Sequence, residues 1–203
     1  MENQNENYLD NHFIHKSNWL RAAVLGANDG ILSTSSLAIG VAAASEFREP
    51  IVLATLAGLV AGALSMAAGE YVSVSSQTDV EHADIEREKI ELDEIPELEL
   101  QRLATIYEER GLKKETALLV AKELTAHDAL GAHIRDELGI NEISQANPLQ
   151  AAMASGVAFT VGGILPLLVT LFFPVNNMEY YLYGLAILFL GFLGALAAKT
   201  GGS

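Results

Sequence analysis

The sequence predicts an all-α polytopic membrane protein carrying a polar helical insert, and three observations support that prediction. Half of the 203 residues are hydrophobic, yet the formal charge is −14. Those figures conflict for one soluble globule and reconcile only if charge and apolar residues occupy different segments. Residues 78–140 hold 17 Asp or Glu against 8 Lys or Arg, so the acidity is local. The rest of the chain contains four apolar runs. Each is long enough as a helix, at about 1.5 Å per residue, to cross a hydrocarbon core roughly 30 Å thick.

In chain order, residues 1–17 form a polar, acidic tail without the basic and apolar regions of a cleavable signal peptide, so the first span serves as the insertion signal. That span runs from Trp19 to Ser45, and a short turn at Glu46 to Pro50 leads into a second, from Ile51 to about Ser76. So short a turn makes the two helices antiparallel neighbours. Small residues at four-residue spacing (Gly26 and Gly30, Gly58 and Gly62, Ala61, Ser65 and Gly69) suit close helix approach, although such residues are common in any membrane helix. From Thr78 to Ile140 the composition turns polar. Pro96 breaks a first helix, Gly111 ends a second, and a third runs from about Lys113 to Leu138 before Gly139, giving a three-helix bundle. Asn147-Pro148 caps and opens a third span to about Phe173, with Pro166 inside it, and a fourth covers Met178 to Ala198. The expected division is therefore tail 1–17, two spans over 18–77, insert 78–140, two spans over 147–199, and tail 200–203.

Basic residues set the orientation, because cytoplasmic loops carry the Lys and Arg excess. With four spans, the N-terminal segment, the insert and the tail share one side with 11 basic residues, against Arg48 alone on the other. The insert is expected to be cytoplasmic. Its acidity repels nucleic acid and attracts cations, which excludes DNA and RNA as partners. The absence of cysteine excludes disulfides, thiolate metal sites and cysteine nucleophiles.

Asp29, beside Asn28 in the first span, is the leading functional residue. An ionised group at that depth costs a few kcal/mol and normally faces a cavity or a partner. The alternative is a carboxylate near the interface, satisfied by Asn28 and Ser33. Met66 and Glu70 stack on one face of the second span, where a thioether beside carboxylates favours a transition metal over magnesium or calcium. Met66 also suits plain packing, and Glu70 also suits a span end that reaches water. In the insert, Glu81, Asp84, Glu88 and Glu91 form one acidic stripe whose mutual repulsion calls for a cation. Arg87 and Lys89 balance it if it is merely a solvated face. His133, Asp136 and Glu137, with His127 and Asp128 upstream, add ligand types typical of iron, manganese or zinc, or else solvated side chains. There is no HExxH, no repeated ExxH pair, no Gly-rich phosphate loop and no GxSxG, which argues against an enzyme.

Three stretches, RAAVLGANDGILSTSSLAIGVAAAS, AGALSMAAGEYVSVSSQTDVEHADIEREKIEL and ELTAHDALGAHIRDELGI, resemble the vacuolar iron transporter (VIT) family of iron and manganese transporters in its bacterial form. The similarity runs from Asn18 to Thr200. It implies a homodimer in a bacterial cytoplasmic membrane that takes Fe2+ or Mn2+ from a cytoplasmic metal-binding domain and exchanges it for protons, for metal homeostasis, without an organic cofactor. By this resemblance Asp29 falls on the transport aspartate and Met66 on the pore methionine. Glu88, Glu91, Glu99 and Glu137 fall on glutamates of the metal-binding domain. Asn18, Arg102, His133 and Ile134 depart from the plant pattern, and the chain stops where a fifth span would begin. Other classes consistent with these residues are a membrane-tethered ferroxidase and a metal-sensing docking protein without transport.

Overall fold

The computed structural model describes residues 17–140 and 147–200, so residues 1–16 of the expected N-terminal tail and 201–203 of the expected C-terminal one lie outside the described residues, while Ser17 and Thr200 end helices. Among the described residues the secondary structure is helical: α1 (Ser17–Ala42), α2 (Arg48–Glu94), α3 (Pro96–Glu109), α4 (Lys114–Asp136), α5 (Pro148–Phe172) and α6 (Met178–Thr200). The chain divides into two compact units, Met1–Tyr71 with Leu149–Ser203, and Val72–Pro148. The division falls inside α2, where the sequence reading had placed a span followed by a separate insert helix. Composition changes there, but no Gly or Pro lies between Gly69 and Pro96 to stop a helix.

Three of these helices, α2, α5 and α6, are long and apolar enough to cross a membrane. The sequence reading expected four. α1 is not among the three, because Asn28, Asp29 and the run Ser33 to Ser36 dilute its apolar character.

In the first unit α1 packs on α6. A core of Ala38, Ile51, Val169, Met178 and Leu182 joins the helix ends near the two turns. Glycines set the helix spacing, between α1 and α5 as well as between the suggested pair α1 and α2. A Cβ at Gly26 would lie 2.9 Å from the Ala158 side chain, and one at Gly30 would strike the Phe159 carbonyl, so the α1 pair faces α5 rather than α2. Gly58 meets Leu37 of α1, Gly62 meets the Phe159 ring, and Gly69 meets nothing. Arg48 ties the start of α2 to the end of α5: its guanidinium donates to the carbonyls of Thr170 (2.7 Å), Leu171 and Phe173 (2.7 Å). Helix C-termini leave such carbonyls unpaired and carry partial negative charge, so a cation is well placed there. Thr55 and Thr160 donate to the carbonyls of Ile51 and Gly156 four residues back, which satisfies their hydroxyls within the helix. Large apolar side chains such as Leu53, Leu64, Phe172 and Phe192 stay exposed, as lipid-facing residues do.

The second unit holds the polar end of α2 with α3 and α4. Pro96 occupies the first turn of α3, where its missing N–H costs nothing. At the other end Gly111 adopts φ +101°, Gly111 N–H donates to Glu108 O and Leu112 N–H to Tyr107 O, which is a Schellman stop. α3 packs on α4. Their core is small, with Leu103, Ala104, Ala121 and Ala132 buried against Leu100, Tyr107, Leu118 and Leu124. α4 kinks at Asp128 (φ −160°, ψ 90°), whose Oδ1 accepts from Gly131 N–H at 3.0 Å and so caps the segment carrying His133.

Candidate metal-binding sites

Each unit holds one candidate site. In the first, Asp29, Ser33 and Leu37 lie on one face of α1 at four-residue steps, and Gly58, Gly62, Ser65 and Met66 form the facing stripe of α2. With Phe159 of α5 they line an open groove of about 320 Å³. Gly58 and Gly62 leave room there because a side chain at either would run into Leu37 or the Phe159 ring. Ser33 Oγ donates to Asp29 Oδ1 at 2.6 Å. Among the described residues no cationic side chain pairs with Asp29. The carboxylate is half-buried and faces the groove together with the Met66 thioether. Asn28 and Glu70 are half-buried but do not line the groove.

In the second unit, Glu88 of α2, Glu99 of α3, and His133 and Glu137 at the end of α4 bring ligand atoms within 4.8 Å of one another. The α4 pair is one turn apart, and the Asp128 kink starts the helical segment that carries it. Glu99 and His133 are fully buried, and Glu88 is only 3% exposed. His133 Nδ1 lies 2.9 Å from Glu88 Oε1, 3.0 Å from Glu137 Oε2 and 3.8 Å from Glu99 Oε2. A single N–H serves one acceptor well, and the aligned one is Glu137. Glu88 Oε1, Glu99 Oε2 and His133 Nε2 are buried without a hydrogen-bond partner. Unpartnered buried carboxylate oxygens are rare in native proteins, and the two glutamate oxygens, beside His133 Nδ1, fit a bound cation. Burial raises the pKa of Glu88, and the charge of Glu137 raises it further, against the opposing effect of His133.

The remaining insert residues are placed elsewhere. Glu91 pairs with Arg87 (2.8 Å) and Arg102 (3.5 Å). Asp136 accepts from Tyr107 Oη (2.9 Å) and Arg110 Nη1 (2.6 Å) on another side of α4. Burial acts to raise the pKa of Asp136, but those two hydrogen bonds and the nearby arginines outweigh it, so its carboxyl is held below the usual range. Glu81 accepts from Gln77 and, with His82, lines a separate cavity, while Asp84 is exposed. His127 and Asp128 are exposed as well. Sequence reasoning did not find Phe159 or Ser65 at the groove, nor the Tyr107–Asp136–Arg110 network. Phe159 carried no local signal, because it comes from a helix about 130 residues after Asp29.

Three carboxylates and an imidazole form a donor set suited to Mn2+, Fe2+ or Zn2+, and a carboxylate with a thioether suits the softer members of that group. Comparison with known proteins shows the following similarities. The "Vacuolar iron transporter" of Acanthamoeba castellanii is 47% identical over 186 residues, covering 91% of this chain and 68% of that protein. "Vacuolar iron transporter homolog 2" of Arabidopsis thaliana is 35% identical over 189 residues, covering 91% and 72%. "Vacuolar iron transporter homolog 1" of the same plant is 33% identical over 207 residues, covering 98% and 78%. The VIT family pattern itself matches residues 20–203, and with its apolar helices the chain is a membrane protein that belongs to the VIT family.

Proposed function

We propose that this protein moves Fe2+ or Mn2+ across a bilayer in exchange for protons, working as a homodimer. The observation that carries the reading is Asp29, unpaired with any described cation and facing a groove that also holds Met66. In this reading α1 is a fourth crossing whose polar residues face the path, and the basic-residue count sets the acidic unit on the cytoplasmic side. Glu88, Glu99, His133 and Glu137 gather the ion, with Glu81, Asp84, Glu91 and Asp136 adding to the negative field around them. Asp29 and Met66 then hold the ion within the membrane, with Asn28 and Glu70 flanking the path. Protonation of Asp29 weakens its hold on the ion, which couples release to the proton gradient. The names of the relatives support iron as cargo, and the donor sets equally admit manganese.

The test is flux into proteoliposomes. Fe2+ and Mn2+ should enter faster than Zn2+ and much faster than Mg2+, and a proton gradient should raise the rate. Metal binding by the purified chain with no flux of any of these ions would replace the transport reading with a sensing one.

A further inference from the structure

We propose that Arg102 is a built-in cation that limits the carboxylate cluster to one divalent ion by filling the place a second ion would take. The inference rests on the metal-binding reading of Glu88, Glu99, His133 and Glu137, and it names what sets that cluster's capacity. Two of the glutamates are split between two positions. Glu99 and Glu137 each turn Oε2 toward His133 Nδ1, at 3.8 and 3.0 Å, and each turn Oε1 toward Arg102, at 3.5 Å to Nη1 and 2.8 Å to Nε. Each position also has a glutamate of its own: Glu88 at 2.9 Å from His133 Nδ1, and Glu91 at 3.5 Å from Arg102 Nη1.

Two bridging carboxylates with one terminal carboxylate on each side is the layout of a two-cation site. Only the first position has buried oxygens without a partner, Glu88 Oε1 and Glu99 Oε2. The second is filled by the Arg102 guanidinium, whose planar fork of donors reaches Glu91, Glu99 and Glu137. Arg102 is about half exposed and its contacts to Glu99 and Glu91 are long, so its removal opens the position without leaving a cavity in the core.

The experiment counts Mn2+ bound per chain at saturation, on the full-length protein in detergent, by dialysis and elemental analysis. It is paired with electron paramagnetic resonance of the bound Mn2+. Wild type should exceed Glu88→Gln by about one ion and give a mononuclear spectrum. Arg102→Ala should bind about one ion more than wild type and show a spin-coupled pair, and Arg102→Lys, which keeps the charge, should stay at the wild-type count. Arg102→Gln decides the matter if the alanine variant does not fold. A count at or below wild type in the neutral variants, or an extra ion in Arg102→Lys, overturns the role of Arg102 and leaves the metal site standing. Equal counts in wild type and Glu88→Gln overturn the metal site itself, and this inference with it.

Discussion

Replacing Glu99 by Gln should stabilise the protein without metal and remove its response to metal. Ligand oxygens of Glu88, Glu99 and Glu137 lie within 4.8 Å of one another. At an effective dielectric constant of about 20, two unit charges at that distance repel by about 3.5 kcal/mol. The presence of Arg102 relieves part of this. The attractions lost are the Arg102–Glu99 contact, 3.5 Å long with Arg102 half exposed and worth about 1 kcal/mol at most, and a longer approach of 3.8 Å to His133 Nδ1. The metal-free variant should therefore gain roughly 1–2 kcal/mol, or about 2–8 °C in Tm for a chain of this size. Wild type at an Mn2+ concentration of about 100 Kd for the cluster should gain about 2.7 kcal/mol from that site, and the variant almost nothing from it. Thermal melts in chelator and in Mn2+ would thus reverse the order of the two proteins. A variant that melts lower in chelator and keeps the wild-type Mn2+ shift would refute the reasoning, because the cluster would then be a structural ion-pair network.

Gly30→Ala should cost about 1–3 kcal/mol by overpacking, since its Cβ would strike the Phe159 carbonyl and lie 2.9 Å from Gly163 N; a lowered melting temperature in detergent checks this. Arg48→Ala frees three carbonyls at the end of α5 and should cost about 1.5–3 kcal/mol, read from the same melts; an unchanged Tm would remove Arg48 as an anchor. pH separates two carboxylates of opposite sign. Glu88 has a raised pKa, so its contribution is complete below the unfolded carboxylate range and is lost as pH rises through its folded value. Asp136 has a lowered pKa, so its contribution is present above that range and is lost as pH falls through its own folded value. In chelator, Glu88→Gln should flatten the fall in Tm on the alkaline side of the carboxylate range, while Asp136→Asn should flatten the fall on its acid side. Mn2+ should reverse the alkaline fall only in protein that keeps Glu88.

Local chemistry made much of the fold legible. Pro96, Gly111 and Gly139 punctuate the acidic stretch through backbone rules that hold in any context, and the structure breaks its helices at those residues. Two features were hidden. The continuity of α2 was obscured because a change from apolar to acidic residues looks like a boundary although it carries no helix-stopping residue. The kink at Asp128 had a signal, an Asp three residues before Gly131, but it lay inside a stretch with good helical periodicity. At the sites, residue type and helical spacing identified Asp29, Met66, Glu88, His133 and Glu137 as candidates. Spacing within one helix says nothing about which carboxylates of different helices converge. It therefore could not separate Glu88 from its stripe neighbours Glu81 and Asp84, or show that Asp136, beside Glu137, turns instead to Tyr107 and Arg110.

The most direct test of the transport account is Fe2+ or Mn2+ uptake by proteoliposomes carrying Asp29→Ala beside wild type, with insertion and melting temperature matched. The account predicts flux at the level of empty vesicles for the variant, with Mn2+ binding at the glutamate cluster unchanged. Flux at the wild-type rate would contradict it, because the groove carboxylate would then have no part in moving the ion.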